Sequence, residues 1–588
     1  MRYAQGSALL NPPEVESQNG LLQVNLHFRS FNDVANGMVL YCFETDDNKE
    51  GPTLRVYPGD RVVITLINEL PPGPPQSVTA LPPYFACGGS YSDSSSVNLH
   101  FHGLLISPLC KQDDTLTTII NSGQTFVYNF TLAINHPTGM DWYHPEIFGS
   151  TGPFTYGGAS GAIIVQGLVD NFPALLSGVE EKIIVIRDQP LPLATSFMIS
   201  YNSIVPAMDL NVNYIPLIFP GISPFPDALQ YEPPTMQVAP GAVQLWRILA
   251  ATSITGFELQ FLCDNVPQTF QVVAIDGRSV ANSIPLSLTT MSLVAGQRLE
   301  VVVSIPHQGC TNASLFTQRE NTGLVGAYDP PRPIVRLITN ASLPLHPSSN
   351  PPNIMLLPNA TSGPSFPQFT PNNQTVSNVL SRPSSASRVI YFHENLNLGQ
   401  YYITVKGQED LIYGILNGPA IVATTNTVED WVIENHTEEE HVFHIHQIRF
   451  VITQINGIMV QSPQFYDTYR VPAWSGSGPF PNVMLRMDFT GPITGDFVFQ
   501  CDIAQYMDGG MLSIIRVQPP AKLSSLGIGD IALIIAAVIA VMVGALLLRS
   551  YVTASAVTIA DRVLTATRFS RVSPNSSISF THASASEA

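Results

Sequence analysis

Two histidine clusters constrain this chain more than any other feature. The first is Asn98-Leu99-His100-Phe101-His102-Gly103, and the second is His441-Val442-Phe443-His444-Ile445-His446. In both, histidines alternate with apolar or aromatic residues. Successive side chains of a strand point to opposite faces, so residues two apart share a face. The spacing therefore predicts strands that place paired imidazoles on one side of a sheet, where they can share a metal ion. The clusters stand more than three hundred residues apart. A site built from both lies between domains.

At 588 residues the chain exceeds one hydrophobic core, and two to four domains are expected. Charged residues make up only 12%, against 49 prolines and 41 glycines. That balance favours short strands joined by turns over long helices. A formal charge of -18 and the lack of a long basic run exclude nucleic acid as a partner class. The acidic surface is read as serving solubility. No P-loop, dinucleotide fingerprint or nucleophile elbow occurs. The six cysteines, Cys42, Cys87, Cys110, Cys263, Cys310 and Cys501, show no CxxC spacing, which argues against a zinc ribbon or a redox pair. Glycosylation acceptors at Asn129, Asn312, Asn340, Asn359, Asn373 and Asn435 point to a secretory route, where Cys263 and Cys310 form a candidate disulfide.

Ile531 to Leu548 is an uncharged apolar run of 18 residues. As a helix it spans about 27 Å, close to the hydrocarbon thickness of a bilayer. Arg549, Arg562, Arg568 and Arg571 follow it, whereas Lys522 alone lies just before. The charge asymmetry predicts a single-pass membrane protein with an extracellular or lumenal body and a cytoplasmic tail. The polar tail argues against a glycolipid-anchor signal. This topology calls for an export signal, yet Met1 to Asn11 has no adequate apolar core. A truncated start and export through the carboxy-terminal helix both stay open.

Composition and pattern divide the chain into 1–170, 171–345, a Pro/Ser/Asn-rich linker 346–390, 391–520, a membrane helix 526–548 and a tail 549–588. In the first unit, Pro58-Gly59-Asp60 leads into the β-branched run Arg61 to Leu66, Thr125 to Leu132 alternates, and Gly161 to Val165 closes the unit. Leu245 to Leu249, Phe270 to Ile275 and Leu299 to Ile305 are the clearest strands of the second. The predicted class is all-β, with three Greek-key sandwiches followed by one membrane helix.

Two further segments complete the chemistry: Trp142-Tyr143-His144-Pro145-Glu146, and Gln500-Cys501-Asp502 through Tyr506 and Met511. With them the chain resembles the multicopper oxidases, the laccases, ascorbate oxidases and ferroxidases. The resemblance covers most of residues 40 to 517 and rests on four motifs in order. Leu99-His100-Phe101-His102-Gly103 is similar to HxHG, and Trp142 to Glu146 to W-Y-H-x-H. His441 to His446 is similar to HPxHxH, and Gln500 to Met511 to HCHxxxH with an axial residue. Pro58-Gly59-Asp60, Asp276-Gly277, Gly296-Gln297-Arg298 and Asp467-Thr468 support it.

The resemblance implies three cupredoxin-like domains and a copper cofactor. Its blue copper would take His441, Cys501, Tyr506 and Met511, where Tyr506 replaces an imidazole by a poor phenol ligand. Its three-copper cluster would take His100 and His444 for one ion. The other two would use His102, His144 and His446, with Glu146, Gln500 and Asp502 where the family has imidazoles. Copper, with fewer than four ions, is therefore expected. The bridge on either side of Cys501 has lost both imidazoles, and electron transfer through it is expected to be impaired. Carboxylates among imidazoles also suit iron, manganese or zinc. Glu438-Glu439-Glu440 is read as a solvated acidic turn.

Three readings stay open: an altered copper oxidoreductase using a small-molecule or metal-ion electron donor and dioxygen, a non-enzymatic surface scaffold, and a protein for a harder metal. The surface ferroxidases of fungi share the carboxy-terminal anchor, an analogy of layout.

Overall fold

Apolar residues alternate along Leu21–Asp33 and Arg61–Asn68, and burial alternates with them. A strand with that pattern can bury one face only, so a second sheet must cover it. The computed structural model describes residues 2–33, 38–74, 87–88, 93–190, 206–219, 231–307, 310–323, 327–343, 375–414, 417–491, 493–520 and 539–550. It divides into two units, 1–519 and 520–588.

Three pairs of sheets build the first unit. A four-stranded sheet, in the order Met38–Glu44, Leu21–Asp33, Arg61–Asn68, Thr125–Thr131, faces a five-stranded one. The latter runs Glu14–Glu16, Thr53–Val56, Gly161–Val165, Gly139–His144, His100–His102. They close over a core that includes Leu26, Phe28, Ile64, Phe101 and Tyr143. The second pair has eight and six strands over Trp246, Ile248, Leu259 and Val301. The third has seven and five strands over Trp431, Ile433, Phe443, Phe499 and Cys501. Each pair contains the same parallel step: Leu21–Asp33 beside Arg61–Asn68, Glu180–Gln189 beside Val243–Ala250, and Ala386–Asn395 beside Val428–Asn435. Phe270–Ile275 is a strand with the bounds read from the sequence. Inside 346–390, the described residues from 375 onward form a helix, Val376–Ser381, and the start of the strand Ala386–Asn395.

The sandwiches are locked together by buried contacts. Met140, Trp142, Ala162 and Ile164 of the first pack against Ile183, Val185 and Leu249 of the second. From the third sandwich, Asp508 accepts hydrogen bonds from the backbone of Gly149 and Gly152 of the first, both at 2.8 Å. At the centre stands Arg298 of the second sandwich, fully buried. Its guanidinium bonds Asp141 of the first sandwich at 2.8 Å and both oxygens of Asp467 of the third at 2.7 Å, with Asp276 at 3.6 Å. Arg449 of the third adds bonds to the carbonyls of Gly103 and Asp276, each at 2.9 Å. Burial alone would raise the Asp467 carboxyl, but Arg298 outweighs it and holds the group well below the usual carboxylate range. Gly103 and Gly277 adopt positive φ of 95° and 69°, and a side chain at either would collide with the Asp141 carboxylate. The glycine that ends the first histidine cluster thus makes room for the ionic junction.

Disulfides join Cys263 to Cys310 and Cys87 to Cys110, with Cα atoms 5.4 and 5.6 Å apart, while Cys42 and Cys501 are buried thiols. In the second unit, residues 539–550 are helical, with Ile539, Val541, Leu546 and Leu547 exposed. Residues 531–538 of the apolar run and the tail beyond 550 lie outside the described residues. Among the described residues no helix is long and apolar enough to cross a membrane.

Removing one member of a buried charge set leaves the others unpaired. Arg298→Ala is expected to destabilise the body by about 3–5 kcal/mol, measured by urea unfolding followed through tryptophan fluorescence. A loss under about 1 kcal/mol contradicts the junction's role.

Candidate metal centre

Strand register brings the histidines together. His100–His102 pairs antiparallel with Gly139–His144, setting His100 opposite His144 and His102 opposite Trp142. Phe101 and Tyr143, one residue out of phase, fill the first core. The three imidazoles are left on the other face. In the third sandwich His441–Ile445 lies between Gly495–Cys501 and Thr468–Val471, with His444 opposite both Gln500 and Thr468. Cys501 points into the third core.

The two faces meet as stacked imidazole pairs. His100 and His446 have ring centres 3.8 Å apart, and His102 and His444 3.9 Å apart. Trp142 stacks on His144 at 4.0 Å. Donor atoms lie within 4.8 Å of one another in three sets: His100, His444 and His446; His100, His102 and His144; His102, His444 and Asp467.

One nitrogen of most rings is pinned from behind. His100 Nδ1 donates to Asp113 at 3.0 Å, and Asp113 also accepts from the Phe101 backbone and from Gln447. His444 Nδ1 donates to the Asp467 carbonyl at 2.8 Å, and His144 Nδ1 to the Pro145 carbonyl at 3.0 Å. His102 Nε2 lies 3.1 Å from Thr468 Oγ1 and 3.5 Å from Asp467 Oδ1. These acceptors fix the proton on the rear nitrogen and leave a lone pair on the front one. The front atoms, His100 Nε2, His102 Nδ1, His144 Nε2 and His444 Nε2, are buried without any hydrogen-bond partner, as are both nitrogens of His446. Burial, reinforced by neighbouring imidazoles, holds His100 well below its ordinary pKa, and burial against the opposing pull of Asp113 and Asp467 brings His446 down to about 4. The rings are neutral near pH 7. Unpartnered buried nitrogens are costly, and a cluster of them with free lone pairs fits a metal ion.

The substituted positions border the same space. Glu146 Oε1 lies 3.0 Å from His446 Nε2, without the alignment of a hydrogen bond. Its Oε2, which has no partner, is 3.9 Å from both His100 Nε2 and His144 Nε2. Burial pushes this carboxyl up to about 7. Gln500 Nε2 is 3.5 Å from Asp502 Oδ1, and its Oε1 is unpartnered. Burial raises the Asp502 carboxyl well above its ordinary value.

The second expected centre is different. His441 Nδ1 lies 3.5 Å from Cys501 Sγ, and Met511 is buried in the same core. His441 Nε2 is occupied by Thr437 Oγ1 at 2.8 Å. The Tyr506 hydroxyl donates to Glu439 at 2.6 Å, and burial followed by that carboxylate drives its pKa far up. One imidazole, a thiol and a thioether, with the phenol engaged elsewhere, do not make a normal blue-copper donor set.

Two readings of the sequence are corrected here. Glu438-Glu439-Glu440 is not a solvated turn: Glu439 and Glu440 are buried, the first by Tyr506 and the second by Arg470 at 3.2 Å. Asn435 is not an accessible glycan acceptor. It is fully buried, and its amide donates to the Glu439 carbonyl at 2.7 Å while its oxygen accepts from Thr437. Asp113, Gln447 and Thr437 escaped the sequence analysis, since nothing in their local pattern marks them, and Asn435 entered it only as a glycan acceptor. Asp113 reaches His100 across 13 positions. Arg298, Asp276 and Asp467 were marked by motif alone.

Three sandwiches with histidine strands of the first and third converging are the architecture of the multicopper oxidases. The family model described as multicopper oxidase matches residues 368–521. A multicopper oxidase of Staphylococcus haemolyticus is 21% identical over 475 residues, 80% of this chain and 82% of that protein. The iron transport multicopper oxidase FET3 of Candida albicans is 28% identical over 232 residues, and that match spans 38% of this chain and only 30% of the relative's length. Among solved structures, McoA of Aquifex aeolicus aligns with a TM-score of 0.61 at 17% identity, covering 87% of this chain and 99% of its own. Fet3p, described as a multicopper oxidase that functions in iron import, aligns with 0.58 at 18%, covering 85% and 91%. The chain is therefore multicopper-oxidase-like in fold, and its residues 368–521 match the model of that family.

The Tyr506 replacement gives a direct check. The copper-loaded protein is expected to lack an intense blue absorption band, and Tyr506→His to gain one. A band of full intensity without the substitution contradicts the reading of this centre.

Proposed function

We propose that this chain binds copper at the junction of its first and third sandwiches, centred on His100 and His444, and holds fewer than four ions. The observation that carries this reading is the set of unpartnered inward nitrogens whose rings are pinned from behind by Asp113, Pro145 and Asp467. Copper held there supplies one-electron redox chemistry toward a small-molecule or metal-ion donor and dioxygen. The protein's part is to keep the imidazoles neutral, orient their lone pairs and exclude water. Asp113 and the Asp467 carbonyl hold the outer protons of His100 and His444.

Turnover by the family's usual route is impaired in this reading. Gln500 and Asp502 flank Cys501 where imidazoles would carry electrons inward, and Tyr506 is spent on Glu439. That same observation favours a second reading, a non-enzymatic surface scaffold that has lost copper chemistry. We place the body outside the membrane, with 526–548 as its anchor. The apolar run and the arginines after it support this.

The test is metal content and dioxygen uptake of the full chain after copper loading. Fewer than four ions per chain, slow uptake, and copper affinity lowered at least ~10-fold by His444→Ala are expected. No retained copper, or four ions with rapid uptake, contradicts the proposal.

A further inference from the structure

The Asp276-Gly277 pair builds more than the ionic junction. Its residues take positive φ of 47° and 69° and close a two-residue hairpin turn in which Ile275 pairs with Arg278. The turn delivers Arg278 of the second sandwich to a cavity of about 490 Å³ that all three sandwiches line. The apolar part of its wall is Leu105, Ile448, Phe465, Phe489 and Val517. The Arg278 guanidinium lies 4.0 Å from the centre of the Phe465 ring, a cation–π contact that holds it against the wall. Arg449 lines the same cavity. Its Nε and Nη2 donate to the Asp276 and Gly103 carbonyls, and Nη2 lies 3.4 Å from Asp141, while Nη1 is buried and has no partner. The other ionisable groups on the wall do not cancel these cations. His136 accepts from the Leu105 amide at 2.9 Å and donates to the Pro137 carbonyl at 2.8 Å, and burial takes it down to about 3, so it is neutral. Asp488 Oδ1 accepts from Arg382 at 3.1 Å and from the Thr490 amide at 2.9 Å, and its Oδ2 has no hydrogen-bond partner. The wall thus sets two guanidiniums against one carboxylate that Arg382 already engages. Burial, then the charge of Arg449, pushes Arg278 down to about 9, and Asp488 offsets this only in part.

We propose that this cavity binds a small organic carboxylate, its charge held by Arg278 and Arg449 and its apolar body packed among Phe465, Phe489 and Val517. A guanidinium takes a carboxylate through charge-assisted N–H bonds in a planar fork, and a mostly apolar cavity of this size with a few convergent polar groups is the usual container for such a molecule. Gln447 separates the cavity from the metal centre. It lines the cavity, and its Nε2 donates to Asp113, the partner of His100. None of the proposed copper ligands lines the cavity, so the site stands apart from the copper reading.

The experiment is isothermal titration calorimetry of the full chain with benzoate, before and after copper loading. Saturable binding is expected in both forms, at least ~10-fold tighter than for benzamide, which has the ring without the charge. Arg278→Gln is expected to weaken benzoate at least ~10-fold and to leave copper content unchanged. Asn426→Asp adds a negative charge at the exposed rim, where the φ of 62° is one that aspartate also accepts, and is expected to weaken benzoate without disturbing the core. His444→Ala is expected to lose copper and keep benzoate, so the two readings fail separately. No saturable binding, benzoate bound no better than benzamide, binding unchanged by either Arg278→Gln or Asn426→Asp, or binding that requires copper and disappears in His444→Ala would each overturn the proposal.

Discussion

The guanidinium of Arg298 is the point on which the site depends. Each of the three sandwiches closes over its own core, and nothing inside one core dictates where its neighbours sit. Arg298 supplies that instruction by binding Asp141, Asp276 and Asp467 at once, one or more from every sandwich. Asp141 lies one strand position from Trp142, and Asp467 directly precedes Thr468. The junction therefore sets the His100–His102 face against the His444 face to within a ring-stacking distance. A buried ion cluster is a weak source of net stability, since desolvation offsets most of the attraction. Its value here is positional.

From that constraint the polarity of the centre follows. Asp467 takes part in both systems: its carboxylate binds Arg298, its carbonyl accepts from His444, and its side chain lies beside His102. The residue that aligns the domains thus also holds two of the imidazoles, His444 through its carbonyl and His102 through its carboxylate. On the opposite side Asp113 and Gln447 do the same for His100. The substitutions fall on the remaining edge, at Glu146, Gln500 and Asp502, where burial raises both carboxyls. The outer walls of the centre are thus fully equipped, while the edge that leads to Cys501 has changed its chemistry. Tyr506 and Glu439 show a similar pattern at the second centre, a hydrogen bond at a position where the resemblance calls for a ligand.

Much of this was legible in the sequence, for local reasons. Phe270–Ile275 and the strand around Leu245 were legible as apolar runs, nearly every residue of which is buried, and Thr125 to Leu132 by an alternation that its burial follows, since burial on one face of a strand imposes period two. The metal-facing histidines were legible for the same reason. What stayed hidden was set by tertiary neighbours. Glu439 looks like one of three solvated acids until Tyr506 folds over it. Asn435 looks like a glycan acceptor until its amide closes the Thr437 loop. Asp113 has no local signal, and neither does the Cys87–Cys110 pair, because their partners meet through the sheet rather than along the chain.

In the proposed arrangement copper is held at the histidine junction and none at Cys501. Diffraction from crystals of the copper-loaded protein, collected on both sides of the copper absorption edge, tests it directly. Anomalous density is expected between His100 and His444, and none within bonding reach of Cys501. A copper peak bonded to Cys501, His441 and Met511, together with three more at the junction, would contradict it.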